Sequence, residues 1–502
     1  MMMRNLKRLL RVRGGVHADE RKHATTELPI ATHLAVAKKL YIPLQQHIGK
    51  AAEPIVKVGD RVLKGQLLAH SQGMISAPVH APSSGVIEDI NFYPAPHPSA
   101  LPIRTIVIAT DGKNEWRERR PIEDPFALEP EEISVRVGAA GIVGLGGATF
   151  PSAVKLNLGR TSKIHTLLIN GGECEPYLTC DDRLMQERAE AIVDGIRIML
   201  HGMEAQNAKI GIEDNKPHAI TMMKIACKPY PNIEVVVVPT RYPMGWERQL
   251  VTYIMGKELA AGTRTSDIGV MMHNVATAYA IHRAIRFDEP LLSRVVTISG
   301  NAIKKPMNAE VLIGTLISEL FSHCQVVPQQ TARIVMGGPM MGEALPHSDM
   351  PIVKATSGIL ALSAEEISTG EEEPCIRCAS CIQVCPVGLL PVDMANRIKN
   401  NQLDSAVNIG LKDCISCGSC SYVCPSNIPL VHYFKYASGE LVARQQAQHK
   451  TEQTKKLADD RAQRMERIER EKQEAEEARR IAKEARDKAK AEEEAQQKEV
   501  AL

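Results

Sequence analysis

The sequence predicts a multidomain protein of mixed α/β and α+β class, and three observations carry that expectation. Between about Ile42 and Ile108 short strand-like runs alternate with turn residues. Between about Glu131 and Ile285 strand patterns alternate with longer helical ones, which argues for a largely parallel sheet with helices on both faces. Between Cys375 and Pro425 eight cysteines repeat one spacing twice, and after Gly439 glycine and proline stop while Glu, Lys, Arg, Ala and Gln run on. A chain of 502 residues has room for about three or four such domains.

Composition removes several classes of function. A net charge of +2 gives no reason to expect nucleic acid, and aromatics at 4% leave little for base stacking. Of twelve cysteines, Cys174, Cys180, Cys227 and Cys324 lie outside the double run and show no mutual metal spacing; reduced thiols are expected. The stretch MMMRNLKRLLRVRGG carries the positive charge of a signal peptide without an apolar h-region. Its Arg4, Lys7, Arg8, Arg11 and Arg13 interleave with Leu6, Leu9 and Leu10, so residues 1–28 read as a basic tail, a loose solvated terminus ahead of the alternative of a small amphipathic helix. Val235–Val238 is a short buried-strand pattern, and no run reaches the roughly 18–20 apolar residues of a membrane span.

Residues 29–115 form the first expected domain. Val58-Gly59-Asp60-Arg61-Val62, Gly65-Gln66-Leu67-Leu68 and Ala77-Pro78-Val79-His80-Ala81-Pro82-Ser83-Ser84-Gly85-Val86-Ile87 resemble the flattened β-barrel of biotinyl and lipoyl carrier domains. Those domains present a modifiable lysine where this chain has Met74, flanked by Gly73 and Ile75. A lipoyl-like β-barrel without carrier chemistry is expected, serving structure or docking.

Residues 125–287 form the second. Strands are expected at His165–Asn170, Ala208–Ile212 and Ile233–Val238, and helices at Asp182–Met203 and Glu247–Met255. Two loops carry chemistry. In Gly144-Leu145-Gly146-Gly147-Ala148-Thr149-Phe150-Pro151 glycines let the backbone approach a ligand, Pro151 suits a helix start that can hold phosphate, and Lys155 adds a positive charge. In Asn170-Gly171-Gly172-Glu173-Cys174-Glu175-Pro176 two carboxylates follow an apolar strand, where they can accept hydrogen bonds from ribityl or ribose hydroxyls. Together with Gly245-Trp246-Glu247 and Asn274-Val275-Ala276-Thr277 these loops resemble the flavin-binding subunit of respiratory complex I. The resemblance implies FMN held by Gly144, Gly146, Gly147, Lys155, Asn170 and Asn274, with Thr277 beside them. It also implies that Glu173, Glu175 and Glu247 line a cleft shared by flavin and NADH. The chain departs from that family at Leu145, Thr149, Gly172 and Trp246.

Further along, Val295–Asn301, a Lys-Pro turn, Val311–Thr315 and a helix to His323 resemble the small β-grasp (SLBB-like) module that follows the flavin domain in complex I; it is bounded here at 290–345. Gly337-Gly338-Pro339-Met340-Met341-Gly342 is expected as a turn cluster. Residues 365–436 hold Cys375-x-x-Cys378-x-x-Cys381-x-x-x-Cys385-Pro386 and Cys414-x-x-Cys417-x-x-Cys420-x-x-x-Cys424-Pro425. This run is the one used by two-cluster bacterial ferredoxins, in which the fourth cysteine ligates the other cluster. Cys375, Cys378, Cys381 and Cys424 are therefore expected on one 4Fe-4S cluster, and Cys414, Cys417, Cys420 and Cys385 on the second. Structural zinc usually gathers two separated C-x-x-C pairs, which these runs are not. Helices expected at Pro391–Lys399 and Leu403–Ile409 make the module an α-helical ferredoxin-like one. Residues 440–502 read as a charged, solvated helix with i,i+4 pairs Glu466/Arg470, Glu476/Arg480, Glu484/Lys488 and Glu494/Lys498.

The order of parts, up to about residue 440, resembles the family of C subunits of the bacterial Rnf (Rsx) electron-transport complexes. What that implies is a peripheral subunit on the cytoplasmic face of the inner membrane, without a span of its own. It would pass electrons from NADH through FMN and two 4Fe-4S clusters to the iron-sulfur B subunit, beside integral membrane subunits of an ion translocase. No acid/base triad is evident. Two alternatives stay open: a soluble reductase of the cobalamin reductase type, and an electron-relay adaptor with a decayed flavin site.

Overall fold

The computed structural model describes residues 12–367 and 370–499. The leucine-bearing part of the basic tail, Leu6 to Arg11, lies outside the described residues, as does the chain beyond Glu499.

The first domain is built from antiparallel strands. β1 (Lys39–Pro43), β3 (Arg61–Val62), β6 (Gly85–Pro94) and β7 (Pro102–Thr110) make one sheet in the order β1-β7-β6-β3. A smaller sheet runs β2-β4-β5, from Glu53–Pro54, Leu67–His70 and Val79–His80. Alternation along the strands sends Leu40, Ile42, Leu68, Ile87, Ile106 and Ile108 into one core. Met74 projects from the loop between β4 and β5 with 90% of its surface exposed.

In the second domain β8 (Thr166–Gly171), β9 (Asn207–Glu213), β10 (Ile233–Val238) and β11 (Val270–Asn274) are parallel, in the order β10-β9-β8-β11. Their apolar runs serve two faces. Leu167 and Ile169 pack with the helices Pro130–Ala139, Ser152–Thr161, Ala189–Met203 and Val275–Phe287, whereas Leu168, Val236, Val238 and Val270 pack with the helix Glu247–Met255. One helix expected over Asp182–Met203 is instead two, Cys180–Glu187 and Ala189–Met203. The break falls at Arg188, whose φ of −131° leaves the helical region, next to a Glu187 carboxylate tied to the backbone of Ile30.

A five-stranded sheet follows, ordered β13-β12-β16-β14-β15, from Ser293–Ser299 (β12), Met307–Leu312 (β13), Arg333–Met336 (β14), Glu343–Leu345 (β15) and Gly358–Leu362 (β16). Its central strand β16 is buried at every position and lies past residue 345, where this module was expected to end. Just before β16, Lys354 is 2% exposed, and its ammonium donates to the carbonyls of Pro78 (3.0 Å) and Gly141 (2.7 Å). Its N–H donates to Gln46 Oε1 (3.1 Å). The barrel, the parallel layer and the second sheet thus meet on one side chain. Burial pushes its amine down to about 7.

The cysteine module packs Met394, Ile398, Leu403, Phe434 and Ala437 around the helices Pro391–Lys399 and Leu403–Asn408. The final helix runs Leu430–Glu499, ten residues earlier than the composition change at 440 suggests, because Leu430, Phe434 and Ala437 bury its first turns in that core. Beyond Leu441 its side chains are exposed through residue 494. Among the described residues its ion pairs join Arg467 to Glu471 and Arg480 to Glu477 and Glu484; Arg480 therefore pairs away from Glu476. No helix among the described residues is long and apolar enough to cross a membrane.

Candidate functional site

In the parallel sheet the chain runs outward from β8 to β9 and β10, then returns to place β11 on the other side of β8. The crevice above the carboxyl ends of β8 and β11 is therefore the topological switch point, the usual ligand position in an open parallel sheet. Asn170 and Asn274 stand there, paired in register.

The glycine loop closes beside them. A bridge between Val143 and Pro151, and a 2.8 Å bond from the Gly144 N–H to the Phe150 carbonyl, pinch its base. The Leu145 N–H donates to Thr277 Oγ1 at 3.0 Å, which seats the loop on the first turn of the helix Val275–Phe287. A Cβ on Gly146 would come to 3.3 Å from the Asn274 side chain, a tight contact. At Gly147 φ is +109° and nothing lies within 4 Å of where a Cβ would be. Bare backbone thus faces open space, as a flavin phosphate or ring requires. Lys155, one turn into the helix Ser152–Thr161, donates to the Met272 carbonyl at 3.0 Å. Burial lowers its pKa, while the Glu247 carboxylate acts in the opposite sense.

Both asparagines are engaged by the chain itself. Asn170 donates to the Gly245 carbonyl (2.9 Å) and accepts from the Gly172 N–H (2.9 Å). Asn274 caps its helix by accepting from the Ala276 N–H (2.8 Å) and donates to Asp181 Oδ2 (2.6 Å). The three glutamates expected to line the cleft are likewise occupied. Glu173 caps the helix Cys180–Glu187, accepting from the N–H groups of Asp181 (2.9 Å) and Asp182 (3.2 Å) and from the Cys180 thiol. Glu175 accepts from the N–H groups of Met340 (3.0 Å) and Met341 (2.9 Å), so the 337–342 turn closes on it. Glu247 accepts from the Thr265 hydroxyl at 2.7 Å. Burial pushes the Glu175 carboxyl up to about 7 against the pull of those two N–H groups.

Sequence reasoning missed four residues around this crevice. Asp181 is pushed up to about 7 by burial and then by the charge of Glu173, whose ligand atoms lie within 4.8 Å of its own. Lys22, 8% exposed, sends its ammonium to the carbonyls of Glu173 (2.5 Å) and Leu178 (2.7 Å). Lys216 pairs with Glu213 at 2.6 Å, both fully buried. Tyr242 is the fourth. The adjacent acids Asp181-Asp182 in a first helical turn were a visible signal; Lys22 and Tyr242 gave none, because their partners lie far away in sequence.

The eight cysteines fall into two sets. Cys375, Cys378, Cys381 and Cys424 line one hollow of about 450 Å³. Cys385, Cys414, Cys417 and Cys420 line another of about 20 Å³. The fourth cysteine of each run has crossed to the other set. Apart from Asp393, a helix residue at the border of the first hollow, neither lining holds a carboxylate or a histidine. Four thiols per set is the donor chemistry of an iron-sulfur cubane. Backbone N–H groups of Arg377, Leu389 and Ser416 point at Cys375, Cys385 and Cys414 sulfur (3.4, 3.3 and 3.5 Å), the contacts that stabilise a cluster's negative charge. Environment separates the sets: Cys375 and Cys378 are exposed, Cys417 and Cys420 buried.

The buried set abuts the crevice domain. Tyr242 donates its hydroxyl to the Cys417 carbonyl at 2.7 Å, and a Cβ on Gly418 would meet the Met340 carbonyl at 2.8 Å. On the other side Gly14 packs so closely on Cys385 that a Cβ would lie 2.5 Å from its carbonyl carbon. These contacts place a switch-point crevice against one four-thiol site and leave the second facing outward. That arrangement defines a flavin and iron-sulfur electron-transfer protein.

Comparison with known proteins agrees. Residues 137–283 match the Nuo51 FMN-binding domain, residues 10–113 the RnfC barrel sandwich hybrid domain, and residues 369–458 a 4Fe-4S dicluster domain. The C subunit of the ion-translocating oxidoreductase complex of Rhodobacter capsulatus is 50% identical over 439 residues, 87% of this chain and 84% of that protein. Its counterpart in Haemophilus influenzae is 44% identical over 455 residues, 90% of this chain and 68% of that one. The counterpart in Salmonella arizonae is 44% identical over 454 residues, 90% of this chain and 67% of that one. A NAD⁺-reducing [NiFe]-hydrogenase in its H₂-reduced state superposes with a TM-score of 0.45 at 16% identity, over 64% of this chain and 62% of that one, a likeness too loose to carry an argument. The chain belongs to the family of C subunits of ion-translocating oxidoreductase complexes. It is an electron-transfer subunit whose domains bind FMN and 4Fe-4S clusters.

Proposed function

We propose that this subunit is peripheral to the cytoplasmic face of the inner membrane and passes electrons between NAD(H) and a ferredoxin-type partner, the iron-sulfur B subunit, beside integral membrane subunits. The FMN, when bound, supplies the step from a hydride pair to single electrons. Everything else falls to the chain. Gly144, Gly146 and Gly147 supply backbone that a flavin can approach, and the start of the helix Ser152–Thr161 offers free N–H groups to its phosphate. Asn170, Asn274 and Thr277 fix the walls of the crevice. Lys155 stands one turn behind. Glu173, Glu175 and Glu247 act from within, holding the loops that shape the nicotinamide side. The five-stranded sheet, read as a β-grasp support, brings the 337–342 turn to Glu175.

The observation that carries this reading is the unequal placing of the two thiol sets. The Cys385/Cys414/Cys417/Cys420 site sits against the crevice domain with Cys417 and Cys420 buried and Cys385 and Cys414 partly buried, while Cys375 and Cys378 are exposed. Electrons leaving the crevice domain meet the buried cluster first and exit through the exposed one. An anaerobic NADH titration followed by visible and EPR spectroscopy tests it. Flavin bleaching followed by cluster reduction is expected; if NADH bleaches neither flavin nor clusters in protein shown to contain both, the dehydrogenase role is wrong.

A further inference from the structure

We infer that Tyr242 is a positioning residue for electron transfer, holding the ligand loop of the buried cluster in fixed register with the crevice. The inference rests on the reading of that cluster as the flavin-side one. Tyr242 is 3% exposed and its hydroxyl donates to the backbone carbonyl of Cys417, itself 7% exposed, at 2.7 Å. The tyrosine backbone is pinned from the other side by a two-way bridge to Val16, with N–H to O distances of 2.8 and 2.9 Å. Three residues on, the Gly245 carbonyl accepts from Asn170 at 2.9 Å, and Asn170 lies near the carboxyl end of β8 at the switch point. Gly245 is needed there, since a Cβ would sit 2.5 Å from the Gly172 carbonyl. A short tether thus runs from Asn170 to Gly245, along the 242–245 backbone, and through the phenol to a cluster ligand.

The neighbours explain why a hydroxyl is needed. Val16, Cys174, Met340, Val384, Ile415 and Val423 pack around Tyr242 and Cys417 without fixing orientation, and the Glu175 carboxyl is the charged group beside the phenol. The phenol supplies direction, and without it a buried carbonyl loses its partner. Electron tunnelling falls steeply with distance, so a ligand loop free to shift would alter transfer without loss of either cofactor.

The test uses the full chain loaded with FMN and clusters, comparing wild type with Tyr242→Phe, and with Tyr41→Phe in the barrel as a control. Removing one hydrogen bond of ordinary strength predicts about fivefold faster amide exchange at residues 414–420. With it come an altered EPR spectrum of the buried cluster and slower reoxidation of reduced flavin by the clusters. Exchange, spectrum and transfer rate all unchanged in the phenylalanine variant would overturn the inference. If wild type itself passes no electrons from reduced flavin to the buried cluster, it is the proposed function that falls, while the exchange measurement still reports on the tyrosine contact.

Discussion

Asn170 and Asn274 face one another in register across β8 and β11, and each commits both ends of its amide to the chain. Asn170 gathers the 172 and 245 loops; Asn274 caps a helix and holds Asp181. The crevice between them is thus shaped before any ligand arrives. Asn274→Ala removes the cap, worth about 1 kcal/mol, and leaves a buried carboxyl without its donor, about another 1–2 kcal/mol. Thermal unfolding should shift down by roughly 5–10 °C for a unit of this size, with FMN content falling alongside. A variant that melts like wild type and retains its flavin would show that the asparagine does not organise the crevice.

The crossed ligand sets make a sharp prediction for single cysteines. Cys424→Ser should remove the signal of the exposed cluster, although Cys424 belongs to the second run, and Cys385→Ser should remove that of the buried one. Iron content per chain and EPR after dithionite reduction read this directly. If Cys424→Ser instead abolishes the cluster bound by Cys414, Cys417 and Cys420, the pairing is wrong.

Two half-buried acids set a pH dependence. Glu175 and Asp181 titrate at about 7 in the folded chain, against ordinary values of 4.5 and 3.8. Both folded values are raised, so the folded state holds protons that the unfolded chain has released. Their contribution to stability is complete below the ordinary values and is lost as pH rises toward 7. Urea unfolding between pH 5 and 8 should show this decline, and Asp181→Asn should flatten part of it. A slope unchanged in Asp181→Asn would exclude that carboxyl as a source.

Gly147→Ala tests the bare backbone of the loop. Its φ of +109° is unfavourable to any side chain, yet the added methyl would touch nothing in the protein. Gly59→Ala in the barrel has φ +93° and equally open space. Both variants should lose a similar amount of stability, about 1–2 kcal/mol, but only Gly147→Ala should release FMN. Equal flavin content in the two would mean that no ligand approaches Gly147.

Local chemistry was legible in the sequence, and long-range pairing was not. Cysteine spacing announces three members of each thiol set, because their geometry is carried within one run, and the fourth comes across from the other run. The helix Glu247–Met255 and the strand Ile233–Val238 begin and end at the expected residues, where apolar pattern and flanking turn residues agree. β16 escaped because its five apolar residues become a central strand only through partners some 25 and 60 residues earlier. The break at Arg188 was invisible for the opposite reason, since helical periodicity continues through it. The glycines and asparagines singled out in the sequence stand together at the crevice, but the sequence did not show that the three glutamates would be claimed by donors elsewhere in the chain. Such donors, the Met340 and Met341 N–H groups among them, exist only once the second sheet has folded against the first.

Lys354 has a consequence for how the molecule comes apart. Chains assembled from modules ordinarily melt in steps, each module at its own temperature. Here one ammonium, sealed from water, satisfies carbonyls from the barrel and the parallel layer while rooted beside β16. None of the three can open without exposing acceptors that the others rely on. Calorimetry of the full chain should therefore show one cooperative transition spanning the barrel and both sheets, and Lys354→Met should split it, turning a single melting body into neighbours that merely touch.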